Sequence, residues 1–517
     1  MHPPTEEQEA CISLDVQNLV VRAFAGTGKT SMLTGFARRR PDARMLYLVL
    51  NKAVQIEAQQ RFQGTRVKPM TSHGLAFKYF GKLYLHKLVP NLKPYQVSEA
   101  LGLEGSLGGV LSRNDALALA WLVLETLNRF LYSPDREILP GHAPPDYRRL
   151  PAIVQDGNLG DDELRAILAE GARQLWRRMR DSADTGVGML HDGYLKLFQL
   201  SSPRLEEDYL LLDEAQDANP CVLDILLKQA VPKVLVGDSH QGIYAWRGAR
   251  NALDLALRQG GTGRHLTGSF RFGGAIARVA NGILSLKGET VPVRGLGGPD
   301  RVGKIPPGEP RAAISRSNAG VFSAAAQALL KKKRYWFVGG VAGYRFDIIE
   351  DAYLLSRRRH GEIRDPFIRS FAKFAELREY AEDVGDGEIR TRCRIIDQYG
   401  DAIPSILEKL KNNAGAAGSM ASAQIVLSTA HNSKGLEFDN VLLDEDFVEL
   451  CAVPKLDGLS AEEKRAVILP IVEEINVLYV AATRAVPAHP AGLRRIRCQT
   501  AAPAAILPAW TTTTPTS

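Results

Sequence analysis

The sequence predicts an α/β protein built on open, parallel-stranded sheets, and three observations carry that reading. An apolar run, Leu19 to Val21, passes through Ala23-Phe24-Ala25-Gly26-Thr27-Gly28 into Lys29-Thr30-Ser31 at the start of a helical stretch. A second apolar run, Tyr209 to Leu212, ends on the adjacent carboxylates Asp213 and Glu214. Short buried strands alternate with helical stretches twice over, with a second α/β unit starting at about residue 256.

The first run is a phosphate-binding loop. Gly26 and Gly28 let the backbone turn its N–H groups inward, the helix N-terminus adds its positive dipole end, and Lys29 reaches the outer phosphates. Thr30 is placed to hold magnesium. The general pattern has glycine six positions before the lysine, where this chain has Ala23, which is still small enough for the turn. An ordinary strand-to-helix turn would leave Lys29 unexplained. Upstream, residues 5 to 17 read as a short helix carrying Gln8. Its amide donates and accepts at once and can read an adenine edge, or it simply faces solvent.

Two carboxylates at a buried strand end are costly unless something cationic meets them. With a phosphate loop in the same sheet, Asp213 coordinates magnesium through its shell and Glu214 orients and deprotonates the attacking water. A further strand leads to Gly237-Asp238 and on to Gln241, Tyr244, Trp246 and Arg247. Gln241 is placed to sense the terminal phosphate. Tyr244 and Trp246 either belong to the core or stack on bases, each worth about 1–3 kcal/mol. The strand Met45 to Leu50 runs into Asn51, and Thr71-Ser72-His73-Gly74 follows another strand. Both turns lie at the edge where open sheets place ligands.

Residues from about 78 to 195 are rich in leucine and alanine at helical spacing and read as a mostly helical insertion. Arg177, Arg178 and Arg180 within it form either a solvated face or a phosphate-facing cluster. His191 and Asp192 open an amphipathic segment and are not read as a metal site. In the second unit, Ser269-Phe270-Arg271-Phe272 supplies an aromatic and a cation. Strands are expected over 311–316, 335–338 and 441–443, a helical stretch over 350–415, and a linker over 412–419. Thr429, His431 and Glu437 follow the strand that starts at Ile425. Arg484 closes Tyr479-Val-Ala-Ala-Thr-Arg, from where an arginine can reach a nucleotide on the first unit and add about 10³ to 10⁵ in rate.

A chain of 517 residues with 45% hydrophobic content builds several cores, and a formal charge of +7 favours a polyanionic partner. The five cysteines show no paired spacing for zinc, a cluster or a disulfide framework. A reducing, cytoplasmic setting is expected, nucleoid-associated in a bacterial cell. The N-terminus has no basic-and-apolar leader, and no run of about eighteen uninterrupted apolar residues occurs, so no membrane association is expected.

These six blocks, in this order, resemble the superfamily 1 helicases of the UvrD/Rep type and, among them, the helicase core of the F-box DNA helicases. The resemblance spans about residues 5 to 485. It implies two RecA-like parallel-sheet domains of the P-loop NTPase class, with ATP and Mg2+ in the cleft between them, each interrupted by a mostly helical insertion. The first domain takes 1–77 and 196–255 around an insertion at 78–195. The second takes 256–349 and 419–485 around a short insertion at 350–418, and 486–517 is an irregular tail. Residues Ala25 to Ser31, with Lys29 and Thr30, bind phosphate and metal, Gln8 and Phe270 match the adenine contacts, and Glu437 matches the ribose contact. Arg271 and Arg484 match the arginines that reach the γ-phosphate. The family's single-strand contacts fall on Asn51, Thr71, His73, Tyr244, Trp246, Arg247 and His431, with 3′ to 5′ polarity on single-stranded DNA and action at DNA junctions. No F-box segment precedes these blocks, so a ubiquitin-ligase role is not carried over, and no protein partner is implied.

Two departures stand out. The second insertion is much shorter than in UvrD-like enzymes, so their duplex engagement and autoinhibition are not transferred. Pro487 and Pro490 also interrupt the place where the family has a strand after the last arginine, and losing that strand would loosen Arg484. The expected activity is ATP-dependent unwinding or translocation. The alternatives are an ATP-gated single-strand-binding protein that cannot unwind and an RNA-directed enzyme.

Overall fold

The computed structural model describes residues 3–49, 52–103, 113–144, 160–244, 252–383, 387–447, 471–486 and 497–500. The chain divides into two units, Met1–Ala23 with Lys29–Leu266 and Phe24–Gly28 with Thr267–Ser517.

The strands of the first unit are β1 Asn18–Ala23, β2 Met45–Val49, β3 Val67–Thr71, the short pair β4 Leu88–Val89 and β5 Met189–Leu190, then β6 Tyr209–Leu212, β7 Lys233–Gly237 and β8 Thr262–Leu266. Among the described residues, six of them form one sheet in the order β3-β2-β6-β7-β1-β8, and every ladder in it is parallel. β2 and β7 are buried along their whole length, as strands covered on both faces must be. Alternate side chains feed two cores. Val20, Leu46, Leu48, Leu210, Leu212 and Leu235 meet the helical insertion on one face. Leu19, Val21, Tyr47, Leu211, Val234 and Val236 meet Met32, Leu33 and Phe36 on the other.

The insertion is built on the helices Pro94–Leu101, Arg113–Tyr132, Asp161–Arg180 and His191–Leu200. Trp176 packs edge-on against Phe130 with ring centroids 5.9 Å apart. Two of the arginines expected to form a solvated or phosphate-facing cluster are paired locally, Arg177 with Glu170 at 3.3 Å and Arg178 with Asp184 at 2.6 Å.

The second unit carries the short parallel pair β9 Gly268–Ser269 and β10 Arg294–Gly295, followed by β11 Arg311–Ser315, β12 Tyr335–Phe337, β13 Ile425–Thr429, β14 Asn440–Leu443 and β15 Arg497–Thr500. The last five form a parallel sheet in the order β12-β13-β11-β14-β15. Its helical insertion shares one core with the sheet: Leu377, Ile389, Ile396 and Leu407 cluster with Phe322 on helix Asn318–Leu330 and with Leu427 on β13. Among the described residues no helix is long and apolar enough to cross a membrane.

Three expectations are corrected. The first helix covers Glu6–Ser13 and stops short of residue 17. The boundary between units falls after Leu266 instead of near 256, because β8 pairs in parallel with β1 at the edge of the first sheet. The strand expected to be missing after Arg484 is present: β15 extends the second sheet beside β14. Pro487 and Pro490 precede it in sequence, so neither removes a ladder N–H.

Asp444 follows β14, and its carboxylate accepts from Ser315 Oγ and from the Glu445 N–H, both at 2.9 Å. Burial, with the charge of Asp446 adding, pushes this carboxyl up to about 6. A raised native value means that the stability supplied by the protonated form is complete below about pH 4 and is lost as pH rises through about 6. Asp444→Asn should therefore gain melting temperature over the parent near pH 7 and lose that gain near pH 4, as followed by thermal denaturation.

Candidate active site

Three strand ends on one edge of the first sheet carry the residues expected to do the chemistry. β1 leads through residues 24–28 to helix Lys29–Arg38, and both Gly26 and Gly28 adopt φ of +75°, a region open to glycine and strained for other residues. β6 delivers Asp213 and Glu214, and β7 delivers Asp238 followed by Gln241.

Lys29 Nζ lies 2.9 Å and 3.0 Å from the two carboxylate oxygens of Glu214. Burial lowers the affinity of this ammonium for its proton. The charges of Glu214, Asp213 and Asp238 outweigh that, so its pKa lies above the ordinary lysine value. The Asp213 carboxyl is raised, first by burial and then by the adjacent Glu214, while Lys29 and Tyr47 oppose the shift. Tyr47 on β2 donates its hydroxyl to Asp213 Oδ2 at 2.5 Å, and Thr30 Oγ1 sits 3.5 Å from the same oxygen. A hydroxyl and a carboxylate converging beside a phosphate loop suit Mg2+, which takes one or two protein oxygens and completes its shell with water and phosphate.

Glu214 holds a left-handed φ of +50°, an uncommon conformation for a non-glycine residue and one that concentrates at working sites. Gln216 spans the gap to the next strand. Its Nε2 donates to Glu214 Oε2 at 2.6 Å, and its Oε1 accepts the Asp238 N–H at 2.9 Å. Gln241 Nε2 in turn donates to Asp238 Oδ2 at 2.8 Å. A chain of buried amides thus links the expected base to the expected phosphate sensor.

Residues 24–28 group with the second unit. The Ala25 N–H donates to Tyr479 Oη at 3.2 Å, and the Phe270 N–H donates to the Gly26 carbonyl at 2.9 Å. A Cβ on Gly26 would stand 2.4 Å from Arg271 Cβ, so no larger residue fits without displacing backbone. Arg271 Nε donates to Glu437 at 2.7 Å, which brings two of the expected nucleotide residues together. Arg484 is 1% exposed, and its Nε donates to the Val480 carbonyl at 2.9 Å. Gln8 is buried and closes a capping box with Thr5, accepting the Thr5 N–H at 3.0 Å.

The expected strand contacts share one local device. Thr71 ends β3, and its hydroxyl caps the next helix by accepting the Gly74 N–H at 2.9 Å, with His73 two residues on. Thr429 ends β13 and does the same with the Asn432 N–H at 3.2 Å, with His431 two residues on. Each unit therefore presents a histidine in the first turn of a capped helix, just past a strand end. Tyr244 is half-buried at the end of its segment. Asn51, Trp246 and Arg247 lie outside the described residues.

Tyr47, Tyr479 and Gln216 were missed from the sequence. Gln216 and Tyr479 lie inside the Asp-Glu-Ala-Gln-Asp and Tyr-Val-Ala-Ala-Thr-Arg blocks and were readable there, whereas Tyr47 sits in an apolar run with no local signal.

A phosphate loop and a strand-end Asp-Glu pair on one parallel sheet, followed in the chain by a second parallel-sheet unit, define a P-loop nucleotide-binding protein of the two-sheet type. Residues 195–259 match the UvrD/REP helicase N-terminal domain, and residues 367–487 match the UvrD-like helicase C-terminal domain. It is 33% identical over 511 residues to F-box DNA helicase 1 of Gallus gallus, covering 93% of this chain and 48% of that protein. Against F-box DNA helicase protein 1 of Schizosaccharomyces pombe it is 31% identical over 515 residues, covering 93% of this chain and 56% of the relative. The chain thus spans about half the length of the curated relatives it matches.

Tyr47→Phe keeps the ring packing and removes the hydroxyl that holds Asp213. The expected outcome is a loss of about tenfold in nucleotide turnover, the equivalent of one hydrogen bond to a charged group, with the melting temperature little changed. Steady-state hydrolysis at saturating magnesium measures it.

Proposed function

We propose that this chain is an ATP-dependent DNA helicase or translocase that moves 3′ to 5′ along single-stranded DNA, with a role in repair or recombination at junctions. The observation that carries the proposal is the Lys29–Glu214 pair beside Asp213 and Thr30, in a chain whose relatives are named DNA helicases. Lys29 and the loop amides hold the phosphates, Thr30 and Asp213 hold Mg2+, and Glu214 takes the proton of the attacking water once the phosphates draw Lys29 away from it. Bound Mg2+ supplies charge neutralisation to the phosphates. Arg271 and Arg484 supply positive charge to the departing phosphate. Nucleotide turnover drives the two units past a strand held by Thr71, His73, Tyr244 and His431, together with Asn51, Trp246 and Arg247. Buried free thiols at Cys11, Cys221 and Cys393 suit the proposed cytoplasmic setting.

The reading as a binding protein that cannot unwind rested on a missing last strand, and with β15 paired to β14 no observation favours it. Unwinding of a 3′-tailed duplex and not of a 5′-tailed one, followed by strand displacement, tests activity and polarity together. Equal unwinding of both tails would contradict the proposed direction.

Lys29→Ala should leave single-strand binding intact and lower ATP turnover by about 100-fold or more, the scale expected for losing a cation on the transferring phosphate. Oligonucleotide binding should also weaken steeply with salt, because backbone phosphates dominate it. Normal hydrolysis by the Lys29→Ala variant would contradict the site.

A further inference from the structure

His191 and Asp192 stand apart from the nucleotide chemistry, on the first turn of helix His191–Leu200 in the first insertion. Asp192 Oδ1 lies 2.9 Å from His73 Nε2. A carboxylate at that distance makes Nε2 the donor, which fixes the tautomer and leaves Nδ1 as the nitrogen not engaged by Asp192. Two further rings frame His73 edge-on, His191 at 6.4 Å and Tyr194 at 6.2 Å between centroids. Tyr194 is buried, and its hydroxyl lies 2.9 Å from His191 Nδ1. Burial, with the charge of Asp192 adding, pushes that phenol up to about 12, so it stays a neutral donor. The His73 and Asp192 side chains remain 40% and 29% exposed, open to a ligand although held in place.

We propose that Asp192 is a positioning residue for His73, which makes the first turn of the insertion helix part of the single-strand site. The inference rests on the reading of His73 as a strand contact. An unanchored, part-exposed imidazole samples several rotamers and loses that freedom when it binds. The carboxylate and the two flanking rings remove most of that cost beforehand. The arrangement also explains an acidic side chain on a surface that meets a polyanion: its charge is spent on the imidazole N–H.

Binding of a fluorescein-labelled oligo(dT), read by anisotropy, tests this in a double-mutant cycle. Asp192→Ala should weaken binding about three- to tenfold through the lost ring anchoring. Asp192→Asn, whose amide oxygen still accepts the Nε2–H, should stay within about twofold of the parent. His73→Ala should weaken binding, and adding Asp192→Ala to it should cost nothing more. Melting temperatures of the four variants show whether each is folded, and Asp192→Asn keeps the test decisive if the alanine variant is not. Fully additive losses, or tighter binding by both Asp192 variants as for a repelling charge, would overturn the proposal. Unchanged binding by His73→Ala would instead remove His73 from the strand site, a distinct failure of the underlying reading.

Discussion

The structure turns on a buried charge balance at the end of the first sheet. One ammonium, Lys29, faces Glu214 directly and is stabilised by Asp213 and Asp238 as well. Each of these charges would be costly alone in a site where Lys29 and Asp213 are mostly enclosed, and together they are tolerable. The pairing also stores function. In the proposed function, a triphosphate brings negative charge that competes with Glu214 for Lys29, so ligand binding and release of the proposed base are one electrostatic event.

The parallel sheet makes that balance possible. Strand order β6-β7-β1 sets the Asp213-Glu214 end, the Asp238 end and the loop after β1 side by side, although nearly two hundred residues separate the first from the last in sequence. Both sheet faces are sealed by apolar side chains, so the polar groups can emerge only at the strand ends. The second unit repeats the logic with a capped helix and a histidine past the end of β13, matching the turn past β3.

Much of the site was legible because its residues come in contiguous blocks at strand ends. Gly26 to Thr30 and Asp213-Glu214 needed only an apolar run and a turn to be recognised. Their partners across the sheet were not legible: Tyr47 meets Asp213 only because β2 neighbours β6, an order that no local pattern states. β8 was misplaced because its segment, Thr-Gly-Arg-His-Leu, is an edge strand with exposed polar side chains and lacks the apolar run that marks a central strand. β15 was discounted for the prolines before it in sequence, although neither belongs to the strand Arg497–Thr500. Asp192 was read only as the start of an amphipathic segment, because its partner is the histidine 119 residues earlier and no local pattern states that pairing.

The central claim is that one nucleotide site is coupled to a bound single strand. ATP hydrolysis with and without saturating single-stranded DNA tests it most directly. The expected result is a rise of about tenfold or more on adding the strand, the size of an ordinary coupling free energy between two sites. A rate unmoved by DNA at concentrations where binding is complete would contradict it.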